Sequence, residues 1–145
     1  KVYACIMKIS MVPKAHVEVV WSRIEKYVEG AAKYTYGRFN TDDIKQGIID
    51  KPEQQLWIAF DDTQIYGFWV TEPFTYPQMK VLILHFIGGE KFKEWQTMAL
   101  ELTQKYARDH DCKIMESYGR PGWGKIWKDN GYKELFTFYE LPVDK

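Results

Sequence analysis

Metal ligands and charge bias are what this chain has least of. Its 145 residues include two cysteines, Cys5 and Cys112, and three histidines, His16, His85 and His110. The cysteines lack CxxC spacing and no histidine cluster accompanies them, which excludes a structural zinc site. Two scattered thiols read as reduced residues of a cytosolic-type protein. Lysine plus arginine number 20 and aspartate plus glutamate number 20, so the formal charge is zero. That balance argues against a nucleic-acid backbone or an anionic membrane as the main partner. No apolar run approaches the roughly 18 residues of a membrane span; the longest, Val81 to Ile87, is interrupted by His85. There is no Walker-type loop, no Ser/His/Asp motif and no internal repeat. The pair Asp61-Asp62 reads as a turn, with too few converging oxygens for a cation. No metal, nucleic acid or membrane is expected as a ligand.

What is abundant is apolar and aromatic. Apolar residues make up 46% of the chain, too many for disorder. Six tryptophans, ten tyrosines and eight phenylalanines reach 17%, which suits a strongly anchored core or an adhesive surface. The length fits one domain over residues 1–145. Met7-Lys8-Ile9-Ser10 reads as an ordinary chain start, so residues 1–6 are expected to be an upstream extension. They are too short for a signal peptide, and a cytoplasmic location is expected.

Periodicity sets the elements. Lys8 to Val12 is a strand closed by Pro13. His16 to Lys33 is a helix whose apolar face carries Val17, Val20, Trp21, Ile24, Val28 and Ala31. Thr41 is expected to cap a short helix ending near Ile49. Gln55 to Phe60 and Gln64 to Thr71 form a hairpin around Asp61-Asp62-Thr63. Pro73 and Pro77 bracket a break. Val81 to Ile87 is nearly continuous, as in a strand covered on both faces. Gly88-Gly89 closes it, and Lys91 to His110 is a helix with a stripe of Phe92, Trp95, Ala99, Leu102 and Tyr106. Cys112 to Tyr118 is a strand, Gly119-Arg120-Pro121 starts a short helix that stops at Asn130-Gly131, and Tyr132 to Leu141 is a last strand. The class is α/β with a mixed, largely antiparallel sheet, flanking helices, and a parallel β-α-β unit at 80–87, 91–110 and 112–118.

This order resembles the GNAT superfamily of N-acetyltransferases over nearly the whole chain from Met7. The resemblance is carried by the α-α pair before a hairpin, by the buried strand running into Gly88-Gly89 and a long helix, and by Trp127-Lys128-Asp129-Asn130-Gly131-Tyr132, which looks like the family's Y-E-K-x-G-F segment. Gly119-Arg120-Pro121-Gly122-Trp123 and Gln55-Leu56-Trp57 are similar to small GNAT-like proteins encoded by bacteriophages. The resemblance implies acetyl-CoA as cofactor, with Phe86, Ile87, Gly88, Gly89 and Lys91 along its arm and pyrophosphate and Arg120 as a phosphate clamp. A helix N-terminus there would favour the anion. Two departures stand out. The family's loop, (Q/R)-x-x-G-x-(G/A), reads Gly88-Gly89-Glu90-Lys91-Phe92 here, and the family's tyrosine general acid is replaced by Trp127.

Acetyl transfer to an amine needs a base, an acid for the leaving thiolate and a carbonyl polariser. His85 is the only histidine in a core strand, and an imidazole titrates near neutrality. Its structural alternative is a core imidazole bonded to backbone. Glu116 as base and Tyr118 as acid lie two apart near a strand end, where ligands gather in open α/β sheets; a solvated or salt-bridged face is their alternative. Trp123 and Trp127, four apart, read as packing, and His16 and His110 as helix-end surface residues.

Two functions follow. One is an acyltransferase moving acetyl from acetyl-CoA to a small-molecule or protein amine. The other is a non-catalytic phage virion or assembly component that uses the fold as an interaction scaffold, in contact with virion or host proteins, in the host cytoplasm or the particle. An enzyme should keep an open V between residues 84–89 and the next strand; a scaffold should fill it with Trp95 or Trp127.

Overall fold

The computed structural model describes residues 6–119 and 123–144. Five strands, β1 (Lys8–Val12), β2 (Gln55–Phe60), β3 (Ile65–Thr75), β4 (Lys80–Gly89) and β5 (Ile114–Ser117), lie in the order β1-β2-β3-β4-β5. All neighbours are antiparallel except β4 and β5, which are parallel and are joined through α3 (Phe92–Asp109). Helices α1 (Val17–Lys33) and α2 (Thr41–Asp50) pack on one face of the sheet and α3 on the other. The short helix α4 (Gly124–Asp129) follows β5 and packs on the α3 side through Trp127. Among the described residues, no helix is long and apolar enough to cross a membrane.

The alternation of side chains divides the core in two. Val12, Leu56, Ile58, Phe68 and Val70 meet Val17, Trp21, Ile24 and Val28 of α1 and Ile44 and Ile48 of α2. Those four α1 residues recur at spacings of four and three, so they share one helical face. On the opposite side, three indoles form a stack. Trp57 of β2 lies 5.7 Å from Trp69 of β3, and Trp69 lies 5.4 Å from Trp95 of α3, with planes within 10° of parallel. Each indole N–H is satisfied, Trp57 by Thr71 Oγ1, Trp69 by Thr103 Oγ1 and Trp95 by the Glu90 carbonyl. Gly67 makes the stack possible, because a Cβ there would lie 2.3 Å from Cζ2 of Trp95.

Four local expectations are corrected. Asn40, not Thr41, caps α2: its side chain accepts from the Asp43 N–H while the Asp43 carboxylate accepts from the Asn40 N–H. In α3, Thr103 and Ala107 complete the buried stripe and Leu102 faces out. Thr103 can sit inside because its hydroxyl donates to the Ala99 carbonyl and accepts from Trp69. Pro73 lies within β3, beyond Thr71 where β2 stops pairing, so its missing N–H costs that side no ladder bond. Tyr132 to Leu141 forms no strand: Tyr132 is partly buried and its N–H donates to the Trp127 carbonyl, and residues 133–141 are exposed and pair with no strand among the described residues. The segment's alternation is compatible with a strand, but pairing requires a free edge within reach, which periodicity does not encode. The short helix ends as expected at Asn130 and Gly131, the latter at φ 89°, while Arg120, Pro121 and Gly122 lie outside the described residues.

Two phenols give the fold an alkaline limit. Burial, assisted by the Glu90 carboxylate, pushes Tyr27 up to about 12, and burial alone pushes Tyr132 up to about 12. A pKa raised on folding favours the neutral phenol in the native state. This contribution is therefore complete below the unfolded value of about 10 and is lost as pH rises toward 12. Denaturant midpoints should fall over that window, and Tyr132→Phe should flatten the decline. An unchanged slope in that variant would assign the loss elsewhere.

Candidate active site

The site begins with a fault in the β3–β4 ladder. Val70 pairs with Phe86, yet Thr71 pairs with Leu84, so His85 is an extra residue, a β-bulge in β4. The bulge shifts the alternation of the strand. Leu82 and Leu84 face α3, and beyond His85 it is Ile87 that faces α3 while Phe86 turns to α1 and α2.

His85 is half-buried, and its Nε2 lies 2.8 Å from Oε1 of Glu72 on β3. A carboxylate only accepts, so the neutral ring carries its proton on Nε2 and leaves the Nδ1 lone pair free. The expected backbone partner is thus replaced by a carboxylate. Glu72 also accepts from Nε2 of the buried Gln54 at 3.3 Å. Nearby, the ammonium of Lys14 donates to the carbonyls of Ile48, Lys51 and Gln54, closing the C-terminal end of α2. Burial lowers the Lys14 pKa, and the adjacent Glu72 charge partly restores it. Glu72 has no sequence signal of its own. It follows Thr71 in a strand, and only the pairing of β3 with β4 brings it to His85.

A cleft of about 280 Å³ lies between α2 and β4 and meets this group through Gln54, which donates to Glu72, and Phe86, the residue after His85. Phe39, Ile44 and Phe86 form its apolar part, and Asp43, Asp50 and Gln54 its polar wall. Phe39 meets Phe86 edge-on at 5.2 Å.

The parallel pairing of β4 with β5 runs from Val81–Ile114 to Leu84–Ser117 and stops one residue before the bulge. From His85 to Gly89, β4 has no partner on the β5 side among the described residues. Two buried polar atoms at this divergence, Ser117 Oγ and Trp127 Nε1, have no hydrogen-bond partner among the described residues. Unspent donors and acceptors beside a free strand edge suit a chain of amides such as pantetheine. The room is limited by Trp127, which packs 5.4 Å from Trp123 and 4.9 Å from Tyr132. The remaining void, about 30 Å³ between α3, β4 and α4, holds little more than water. Trp95 lies deeper, in the indole stack.

At the start of α3, Lys91 is left-handed (φ 53°) and no side chain caps the helix; the Glu94 N–H is taken by the Lys91 carbonyl, which leaves the amides of Phe92 and Lys93 as the ones that could meet an anion. The preceding turn is partly committed. Glu90 N–H donates to the Tyr66 carbonyl. A Cβ on Gly88 would lie 2.8 Å from the Tyr27 carbonyl oxygen, and one on Gly89 (φ 145°) 2.3 Å from that of Tyr66. These glycines serve close packing on α1 and β3. Glu116 accepts from Tyr76 Oη at 3.0 Å, and its neighbour Tyr118 is exposed past the end of β5. The structure thus joins His85 to Glu72, and Glu116 to Tyr76.

The architecture, a mostly antiparallel sheet with one parallel pair and helices on both faces, is shared with acetyltransferases of known structure. No family model matches the sequence, and no curated protein matches it. Among solved structures, the chain is similar to a probable acetyltransferase at 19% identity and TM-score 0.66, covering 95% of this chain and 99% of that one. It is similar to the aminoglycoside N-acetyltransferase AAC(6')-Iy in complex with CoA at 20% identity and TM-score 0.65, covering 96% and 97%. It also matches the ribosomal-protein-alanine N-acetyltransferase of Brucella melitensis biovar Abortus 2308 at 10% identity and TM-score 0.72, covering 96% and 100%. At these identities the likeness is one of fold.

Proposed function

We propose that this protein transfers an acetyl group from acetyl-CoA to an amine, with His85 as general base. The carrying observation is the bulge that turns His85 out of the ladder and onto Glu72, beside the cleft between α2 and β4. An amine is protonated near neutral pH and must lose a proton before it attacks. Nδ1 of His85 accepts that proton, and Glu72 stabilises the resulting imidazolium and fixes the ring. Asp43 and Asp50 outnumber Lys51 in the lining of the cleft, which favours a cationic acceptor there. When bound, acetyl-CoA supplies the activated acyl carbonyl. The free backbone of Phe86 and Ile87, Ser117 Oγ and Trp127 Nε1 would hold its arm, and Lys91 with the open amides of α3 its phosphates. Glu116 is the weaker base because its carboxylate is engaged by Tyr76, and Tyr118 is the candidate acid for the thiolate, the role that Trp127 cannot fill.

One observation favours a second reading. Trp127 occupies the divergence of β4 and β5, as expected of a scaffold without catalysis, such as a phage virion or assembly component. A thermal-shift titration with acetyl-CoA, against desulfo-CoA and ATP, separates the two. Ligand at about 100 times its Kd should add about 2.7 kcal/mol. A saturable shift with acetyl-CoA and none with ATP is expected; no shift at millimolar acetyl-CoA would leave the scaffold reading.

A further inference from the structure

Oε1 of Glu72 takes both hydrogen bonds that this carboxylate accepts among the described residues. His85 Nε2 lies 2.8 Å from it and Gln54 Nε2 lies 3.3 Å from it. Gln54 is 6% exposed, and a buried amide needs partners. Its main chain is fixed at both ends: its N–H donates to the Lys51 carbonyl, and its own carbonyl accepts from the Lys14 ammonium. The residue just before β2 is therefore anchored, and its side chain reaches across to β3.

The partner dictates how the amide is turned. A carboxylate only accepts, so the NH2 end faces Glu72 and Oε1 faces away from it. On that side stands Gly47 of α2. A Cβ there would lie 3.3 Å from Oε1, so any side chain at 47 would push the amide aside. Gly47 is in the interior of α2, where only proline is less favourable than glycine. The helix thus gives up a Cβ at the point where Gln54 passes. Both residues line the cleft between α2 and β4, and of its polar side chains Gln54 is the one bonded to the His85–Glu72 pair among the described residues.

We propose that Gln54 is a positioning residue: it holds Glu72 in the orientation that fixes the His85 ring, and Gly47 leaves the space in which it does so. The inference rests on the reading of His85 as general base. The Glu72 side chain is 24% exposed, so without the amide its carboxylate is free to turn to water. The ring then has no fixed acceptor, and its two nitrogens compete for the proton. Gln54 acts through Glu72 and needs no contact with the reacting atoms.

Nitrogen-15 NMR of the imidazole reads the tautomer without any substrate. In the unaltered chain the neutral His85 ring should carry its proton on Nε2 alone. Gln54→Leu and Gly47→Ala should both give mixed tautomers. In both, kcat for acetyl transfer should fall by about 10–10²-fold, up to the cost of a misplacement of about 1 Å, with KM for acetyl-CoA unchanged. The Tm of Gly47→Ala should not fall, because alanine favours the helix; a glycine needed only for packing would not lower turnover while sparing stability. A mixed ring in the unaltered chain overturns the proposal, as does a single tautomer kept in both variants, even if turnover falls. A change in Gln54→Leu alone would uphold Gln54 and overturn the part given to Gly47. Mixed tautomers in the variants of a chain that transfers no acetyl group would uphold the positioning and sink the acetyltransferase reading. If Gln54→Leu does not fold, Gly47→Ala decides.

Discussion

Replacing Trp95 by alanine should cost about 3–5 kcal/mol of stability, the range for removing a large aromatic from a packed core. For a chain of this size that lowers Tm by roughly 6–20 °C. The side chain is 1% exposed, stacks on Trp69, is met edge-on by Phe92 at 4.8 Å and donates its N–H to the Glu90 carbonyl. The variant therefore loses stacking, leaves a cavity and strips a partner from the turn before α3. Gly67→Ala attacks the same contact from the sheet side, because the new methyl would lie 2.3 Å from the indole. Overpacking of that kind costs about 1–3 kcal/mol. The two losses should not add, since without the indole the methyl has space. Denaturant unfolding of both single variants and the double variant measures this directly. Strict additivity would show that Gly67 is required for something other than Trp95.

The second large effect concerns chemistry. His85→Ala should lower kcat for acetyl transfer by about 10²–10⁴-fold, the usual worth of a positioned general base. Its fold should survive, because His85 is half-exposed and lies at a bulge. Glu72→Gln keeps a hydrogen-bond acceptor within 2.8 Å of the ring and removes the charge, so it should retain more activity than His85→Ala. Its KM for acetyl-CoA should not change. Glu116→Gln distinguishes the alternative: it removes the carboxylate charge, keeps an acceptor for Tyr76 Oη and should leave turnover nearly intact. Full activity in His85→Ala with loss in Glu116→Gln would transfer the base role to Glu116.

Much of the fold was legible because helices and buried strands write their environment into spacing. The face of α1 and the parallel unit around α3 were readable from apolar positions alone. The site was half legible. His85 stood out as a polar interruption in an apolar strand, but its partner did not. Glu72 stands between the end of the expected hairpin strand at Thr71 and the break at Pro73, neither of which points to His85, and it reaches His85 only through strand pairing. The bulge itself leaves no local mark, since one extra residue is defined only against the neighbouring strand. Gly88 and Gly89 also answer a packing demand that spacing does not record, since side chains there would meet the carbonyls of Tyr27 and Tyr66. The segment at 132–141 has the composition of a strand, and composition does not say whether a free edge lies within reach.

The bulge at His85 also makes that residue separable from the fold. Leu84 pairs with Thr71 and Phe86 with Val70, neighbours on β3, so the two flanking residues already alternate as though nothing stood between them. A substitution at 85 changes the chemistry and spares the core. Deleting the residue would close the bulge into a regular ladder, with Phe86 still toward α1 and α2 and Ile87 still toward α3. Over evolutionary time the chain can therefore gain or lose chemistry at this position, by substitution or by a one-residue insertion or deletion, without exchanging its inside layers.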